Sequence, residues 1–113
     1  MSEKQHYARF EAPFGDKIYP FQLGWSEAAS FEEEHKVSLY LLCRQMAATS
    51  SCEIKHLRDI LRWALIGGGM PSTSALGLIH RYVEGRPIGE FFPLALRILE
   101  AAFFGNEEAK DGD

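Results

Sequence analysis

Four histidines, two cysteines and a run of glycines are the residues of this 113-residue chain on which chemistry could draw. His6, His35, His56 and His80 fall on different expected elements, and apart from Cys52 and His56 none is spaced i, i+4 from another histidine or from a cysteine. A zinc site gathers about four ligands through CxxC or HxxxH spacings, so this pattern argues against a metal. Cys43 and Cys52 have no CxxC spacing and are flanked by residues that read as helical, which favours a reduced pair over a disulfide. A nucleophilic serine would need a base and an orienting group, and no GxSxG elbow or similar signature supports one. Glu33 and Glu34 are adjacent, so on a helix their carboxylates diverge instead of flanking a bond. No catalytic residue, cofactor or metal is expected, and the chain is not read as an enzyme.

The glycine run lies in LRWALIGGGMPSTS, residues 61–74, between an apolar segment and a cluster of hydroxyls. A phosphate loop needs GxxxxGK followed by Ser or Thr after a strand, and neither lysine nor strand is in place. A dinucleotide fingerprint needs GxGxxG, and Gly67, Gly69 and Ser72 miss its last glycine. The remaining reading is punctuation: Gly67 ends a helix in the left-handed conformation that glycine adopts without penalty. Pro71 cannot continue that helix, and Ser72 or Ser74 can cap the next.

The elements around this connector follow from periodicity. A hairpin is expected over 6–23, because Tyr19, Phe21 and Leu23 recur at period two and Pro13, Gly15 and Asp16 supply a turn. Pro20 has no amide hydrogen to donate, which marks the second strand as an edge. Helices are expected over 26–104, the first capped by Ser26 and acidic through Glu32, Glu33 and Glu34, a run read as a solvated face. Leu39, Leu42, Cys43 and Met46 give the second its apolar face. Ser50 and Glu53 match a capping box for the third, lined by Ile54, Leu57, Leu61, Ala64 and Leu65. Leu76, Ile79, Tyr82 and Val83 line the fourth, which Gly85 closes. The fifth carries Ile88, Phe91, Phe92, Ala95, Ile98, Leu99, Ala102 and Phe103 on one side, with Pro93 in its first turn and Gly105 at its end. The fold class is therefore mainly α with a small N-terminal β-hairpin (α+β), a compact bundle of about five helices. One domain is expected over 6–105, with disorder over 1–5 and in the acidic tail 106–113.

Composition narrows the partners. Twelve Lys and Arg against sixteen Asp and Glu leave a net charge of −4, so the chain lacks the basic footprint that phosphate backbones require. Nucleic acid is not an expected partner. Arg62, His80 and Arg81 interrupt the apolar runs before any reaches the roughly 18 residues of a membrane span. The opening MSEKQHYARFEAPF has no apolar signal core, so export by that route is not expected. Phe103 and Phe104 are adjacent and cannot both face one core line, which makes the end of the fifth helix the expected sticky patch. Tyr19 and Phe21 on the edge strand, with Phe103 and Phe104, are the candidate partner-binding residues.

Three stretches, GDKIYPFQLGWSEAASFEEEHKVS, IKHLRDILRWALIGGG and PIGEFFPLALRILEAAFFG, resemble in order and spacing a family of small tail proteins from gene transfer agents and related tailed phages. The similarity runs from about Gly15 to Gly105, with Phe31 and Glu32 where the family often has a leucine-glutamate pair. The family is described as a tail tube protein, while its small size and its usual gene position, between tube and tape-measure genes, look like those of a tail assembly chaperone. The resemblance implies a morphogenetic role with tail tube and tape-measure proteins as partners, self-association into a homo-oligomer, and no catalysis. It implies a cytoplasmic location during assembly, or association with the virion. The competing readings are a permanent structural component of the tail tube and, from another class, a small helical DNA-binding regulator. The second would use the third and fourth helices as a helix-turn-helix, against which the connector from Gly67 to Ser74 reads as too long.

Overall fold

The structure, a computed structural model, describes residues 7–105; His6, the segment 1–5 and the tail 106–113 lie outside the described residues. Strands β1 (Arg9–Phe14) and β2 (Lys17–Gln22) pair antiparallel, with Phe10 opposite Phe21 and Phe14 opposite Lys17. The two-residue turn between them uses Gly15 at φ 66°, where the Tyr82 ring packs so closely that a Cβ would lie 2.6 Å from it. Alternation along β1 turns Phe10, Ala12 and Phe14 inward. Phe14 meets Phe21, Tyr82 and Phe91 edge-on at 5.8–6.2 Å, the aromatic-pair geometry that ring quadrupoles favour.

Five helices complete the fold: α1 (Trp25–His35), α2 (Leu39–Thr49), α3 (Ile54–Gly67), α4 (Ser72–Tyr82) and α5 (Phe92–Phe104). The α3 helix is central, packing against α1, α4, α5 and β2. Its Leu57, Ile60, Leu61, Ala64 and Leu65 are buried, as are Leu39, Leu42, Cys43 and Met46 of α2 and Ala95, Ile98 and Leu99 of α5. The inner stripes expected from periodicity thus meet in one core. Some of their members do not: Ile54, Leu76 and Ile88 are exposed.

Several local expectations are corrected. Ser26 lies inside α1, which is capped from Gly24; the Gly24 amide donates to Glu27 Oε1 at 3.1 Å, a carboxylate reaching back over the first turn. Ser50 ends α2 in the left-handed region at φ 56°, and Glu53 precedes α3 without a side-chain cap. Neither Ser72 nor Ser74 caps α4, which follows Pro71 directly, and α4 ends before Gly85, at Tyr82. By contrast Pro93 does fall in the first turn of α5, after a 3-10 turn over Ile88–Phe91, and Gly105 follows its last residue at φ 80°.

The glycine run has a different reason from the one expected. Gly67 is the last helical residue of α3 and Gly68 follows at φ −77°; only Gly69 is left-handed, at φ 116°. A Cβ on Gly67 would stand 1.9 Å from the Gln22 carbonyl oxygen, and one on Gly68 would stand 2.3 Å from that of Pro20. The backbone of β2 therefore rests directly on the end of α3, and only glycine leaves room for it. Among the described residues β2 pairs only with β1 and is the edge strand that Pro20 suggested, with the α3 terminus lying against its Pro20 and Gln22 carbonyls. The α3–α4 connection is four residues, 68–71, shorter than expected.

Candidate functional site

Polar chemistry concentrates where α1 crosses α3. Asp59, buried at 3% exposure, receives Arg58 Nε at 2.9 Å and Arg58 Nη2 at 3.1 Å, and Arg62 Nε at 3.0 Å. His35 Nε2 lies 2.8 Å from Asp59 Oδ2. Arg62 continues the chain of charges through Nη2, which donates to both oxygens of Glu34 at 3.0 Å, and Trp63 Nε1 donates to Glu34 Oε1 at 2.9 Å. Burial by itself would raise the Asp59 carboxyl, but the hydrogen bonds from Arg58 and Arg62, the Arg62 charge and the His35 contact together hold it at about 2. His35 and His56, on different helices, come within 5.0 Å ring to ring, and both touch Phe31.

Glu34, His35 and Asp59 are close enough to offer three ligand atoms to one cation. Their chemistry does not suit one: Asp59 and Glu34 already neutralise Arg58 and Arg62, whose guanidinium groups would repel a metal and compete for the same oxygens. His56 is buried at 6% exposure, and neither ring nitrogen has a hydrogen-bond partner among the described residues. Burial, then the neighbouring His35, push its pKa below the usual histidine value. The Cys43 and Cys52 thiols are pushed up, by burial and by Glu100 and Glu53 respectively, which is opposite to the activation a nucleophile needs. The junction is a structural clamp between α1 and α3.

The acidic run of α1 is exposed, as its reading as a solvated face expects, and two of its members also bond to neighbouring helices. Glu34 grips Arg62 and Trp63, and Glu32 Oε2 accepts the Leu39 amide at 2.7 Å, tying α1 to the first turn of α2. All three remain exposed, and Glu33 lies within 3.9 Å of Lys36.

The other unusual region is apolar and open. Phe103 and Phe104, at 37% and 58% exposure, stand at the end of α5 against Tyr40 of α2, with ring centroids 5.4 and 6.5 Å from it. Beside Phe103 lies a groove of ≈ 280 Å³ lined by Tyr7, Leu23, Trp25, Ala28, Ala29 and Ala102, and by the carboxylate-bearing Glu32. Trp25 is 86% exposed, an uncommon setting for the largest apolar side chain. Together these rings form an exposed apolar region larger than a single scattered surface hydrophobic.

The expected partner-binding residues divide accordingly. Phe103 and Phe104 stand in this patch. Phe21 is fully buried against Phe10 and Phe14, so it is a core residue with no surface to offer. Tyr19 is half-buried against Phe14, near the turn of the hairpin and away from the α5 end. Trp25 and Tyr40 complete the patch and escaped the sequence reading. Their signal was there: each is an aromatic outside the inner stripe of its helix.

The fold is that of a small α+β domain, mainly helical, with a polar clamp at its α1–α3 junction and an exposed aromatic patch at the end of α5. Residues 8–105 match the family model described as phage tail tube protein, GTA-gp10, and the chain belongs to that family. No curated protein and no solved structure matches it. Among the described residues no helix is long and apolar enough to cross a membrane.

Proposed function

We propose that this member of the phage tail family is a tail assembly chaperone, which covers apolar helical stretches of the tape-measure protein until tube subunits replace it. The observation that carries this reading is the groove beside Trp25 and Phe103, whose alanine and aromatic lining suits the apolar stripe of an amphipathic helix. Such a helix would lay anchors at i, i+3 or i+4 into the groove, and its release requires the modest affinity that an open, shallow site gives. The role involves no catalysis, is performed in the cytoplasm during assembly, and is accompanied by self-association.

A permanent tail component is the alternative that the family description itself favours. A tube subunit closes its ring through a large sheet, and the described residues contribute one hairpin with strands of 6 residues, which weighs toward the chaperone. The DNA-binding reading has gained a connector of suitable length, yet Glu90 pairs with Arg86 at 3.1 Å and Glu84 with His80 at 2.7 Å beside α4, and the net charge is −4. Mass spectrometry of purified particles separates the tail readings: the chaperone is expected at trace level beside abundant tube protein. Stoichiometric copies in the finished particle would overturn it in favour of a permanent component.

A further inference from the structure

On the far side of the Phe103 ridge, α2 and α5 form a second groove, ≈ 430 Å³, between Tyr40 and Phe104 at one end and Ala47 and Ala48 at the other. Two opposite charges flank it, Arg44 on α2 and Glu100 on α5. Neither has an ion-pair partner among the described residues; Arg44 lies over the Tyr40 ring at 5.9 Å. Along α2 the residues run large, charged, small: Tyr40 and Ala48 are each four positions from Arg44, about 6 Å along the axis.

We propose that this face is a two-fold interface with a second copy of the chain. A two-fold contact requires one patch to complement itself. With α2 antiparallel to its mate and the axis passing near Arg44, each Tyr40 ring enters the space that Ala47 and Ala48 leave on the partner. Each Arg44 then reaches the partner's Glu100, so that the two arginines and two glutamates alternate around the axis and cancel. The area is commensurate: Tyr40, Leu41, Phe103 and Phe104 are 45%, 56%, 37% and 58% exposed. With aromatic side chains burying about 150–250 Å² each, that leaves roughly 400 Å² of apolar surface, about half of the ~800 Å² per partner of a standard interface. The remainder is the polar rim that Arg44, Gln45 and Glu100 supply. The proposal does not rest on the tape-measure reading, because its groove is a separate one, with Phe103 on the ridge as the one ring counted in both.

Sedimentation of the full chain over a concentration series tests it. The wild type should show a reversible monomer–dimer equilibrium. Arg44→Glu and Glu100→Arg, each placing like charges together, should weaken it by roughly tenfold or more. The charge-swapped double variant should restore it. The two single variants, each monomeric alone, should form a mixed dimer when combined, since one then carries two anions and the other two cations; that pairing also proves both are folded. A wild type that stays monomeric throughout, single variants that dimerise as the wild type does, or a mixture that fails to pair would overturn the proposal. A groove that binds a tail-protein helix in place of a second copy would do the same.

Discussion

The α1–α3 junction and the aromatic end of α5 invert the usual distribution of residue types. At the junction, Asp59, His35 and His56 are inside, and the carboxylate there is fully engaged by cations. At the end of α5, Phe103 and Phe104 are outside, with Tyr40 and Trp25 beside them and only water to cover them. Buried polar groups whose bonding is complete rigidify a structure, whereas exposed apolar ones retain free energy to release on contact. The protein therefore commits Asp59, Arg58 and Arg62 to holding two helices together and leaves several of its large rings at the surface.

The largest expected consequence of that division is at Asp59. Asp59→Ala leaves Arg58, Arg62 and His35 around an empty position and should destabilise by about 3–5 kcal/mol in chemical denaturation. Any residual folded fraction should keep its association behaviour; loss of association at full stability would break the comparison by giving the clamp a functional role. Core truncation at Leu61→Ala or Ile98→Ala should cost about 2–5 kcal/mol, as both side chains are within 1% of full burial. A melt without any drop would contradict the packing described.

Gly67→Ala should cost about 1–3 kcal/mol, because its Cβ collides with the Gln22 carbonyl and α3 must move away from β2. The effect should vanish from binding once stability is restored by other means. The pH response should be smaller and resolved in two steps. His56 titrates below its ordinary 6.5 in the folded chain, so its contribution is intact above pH 6.5 and declines as pH falls below that value. Asp59, at about 2 against an ordinary 3.8, adds a second loss between those values. His56→Phe should abolish the first step alone and leave neutral-pH stability unchanged or raised, since no hydrogen bond is lost. A stability curve flat from pH 7 to 4 in the wild type would refute this.

Much of the fold was legible because period-two and period-3.6 patterns report burial directly: Tyr19 and Phe21 do lie on a strand, and the α2 stripe and the middle of the α5 stripe face inward as spaced. Caps were legible less often, since Ser26, Ser50, Ser72 and Ser74 are all chemically able to cap and only the tertiary path decides which one does. The glycine run was recognised as structural, but its cause, a strand backbone lying across a helix end, involves residues more than forty positions apart. The clamp was invisible for the same reason: His35 and Asp59 are 24 positions apart, and local spacing has no access to such a pair. The aromatic patch was half legible, because Phe103 beside Phe104 forces exposure by geometry alone, while Trp25 and Tyr40 join them only through the fold.

Co-purification of the tape-measure protein with this chain from cells assembling tails, wild type against Trp25→Asp, tests the central claim most directly. Trp25 is 86% exposed, so the substitution should alter stability by no more than about 0.5 kcal/mol while adding a charge to the groove. The wild type is expected to retain the tape-measure protein, and the variant to lose it with an unchanged melting temperature. A variant that retains it as well as the wild type, or a wild type that retains none, would contradict the account.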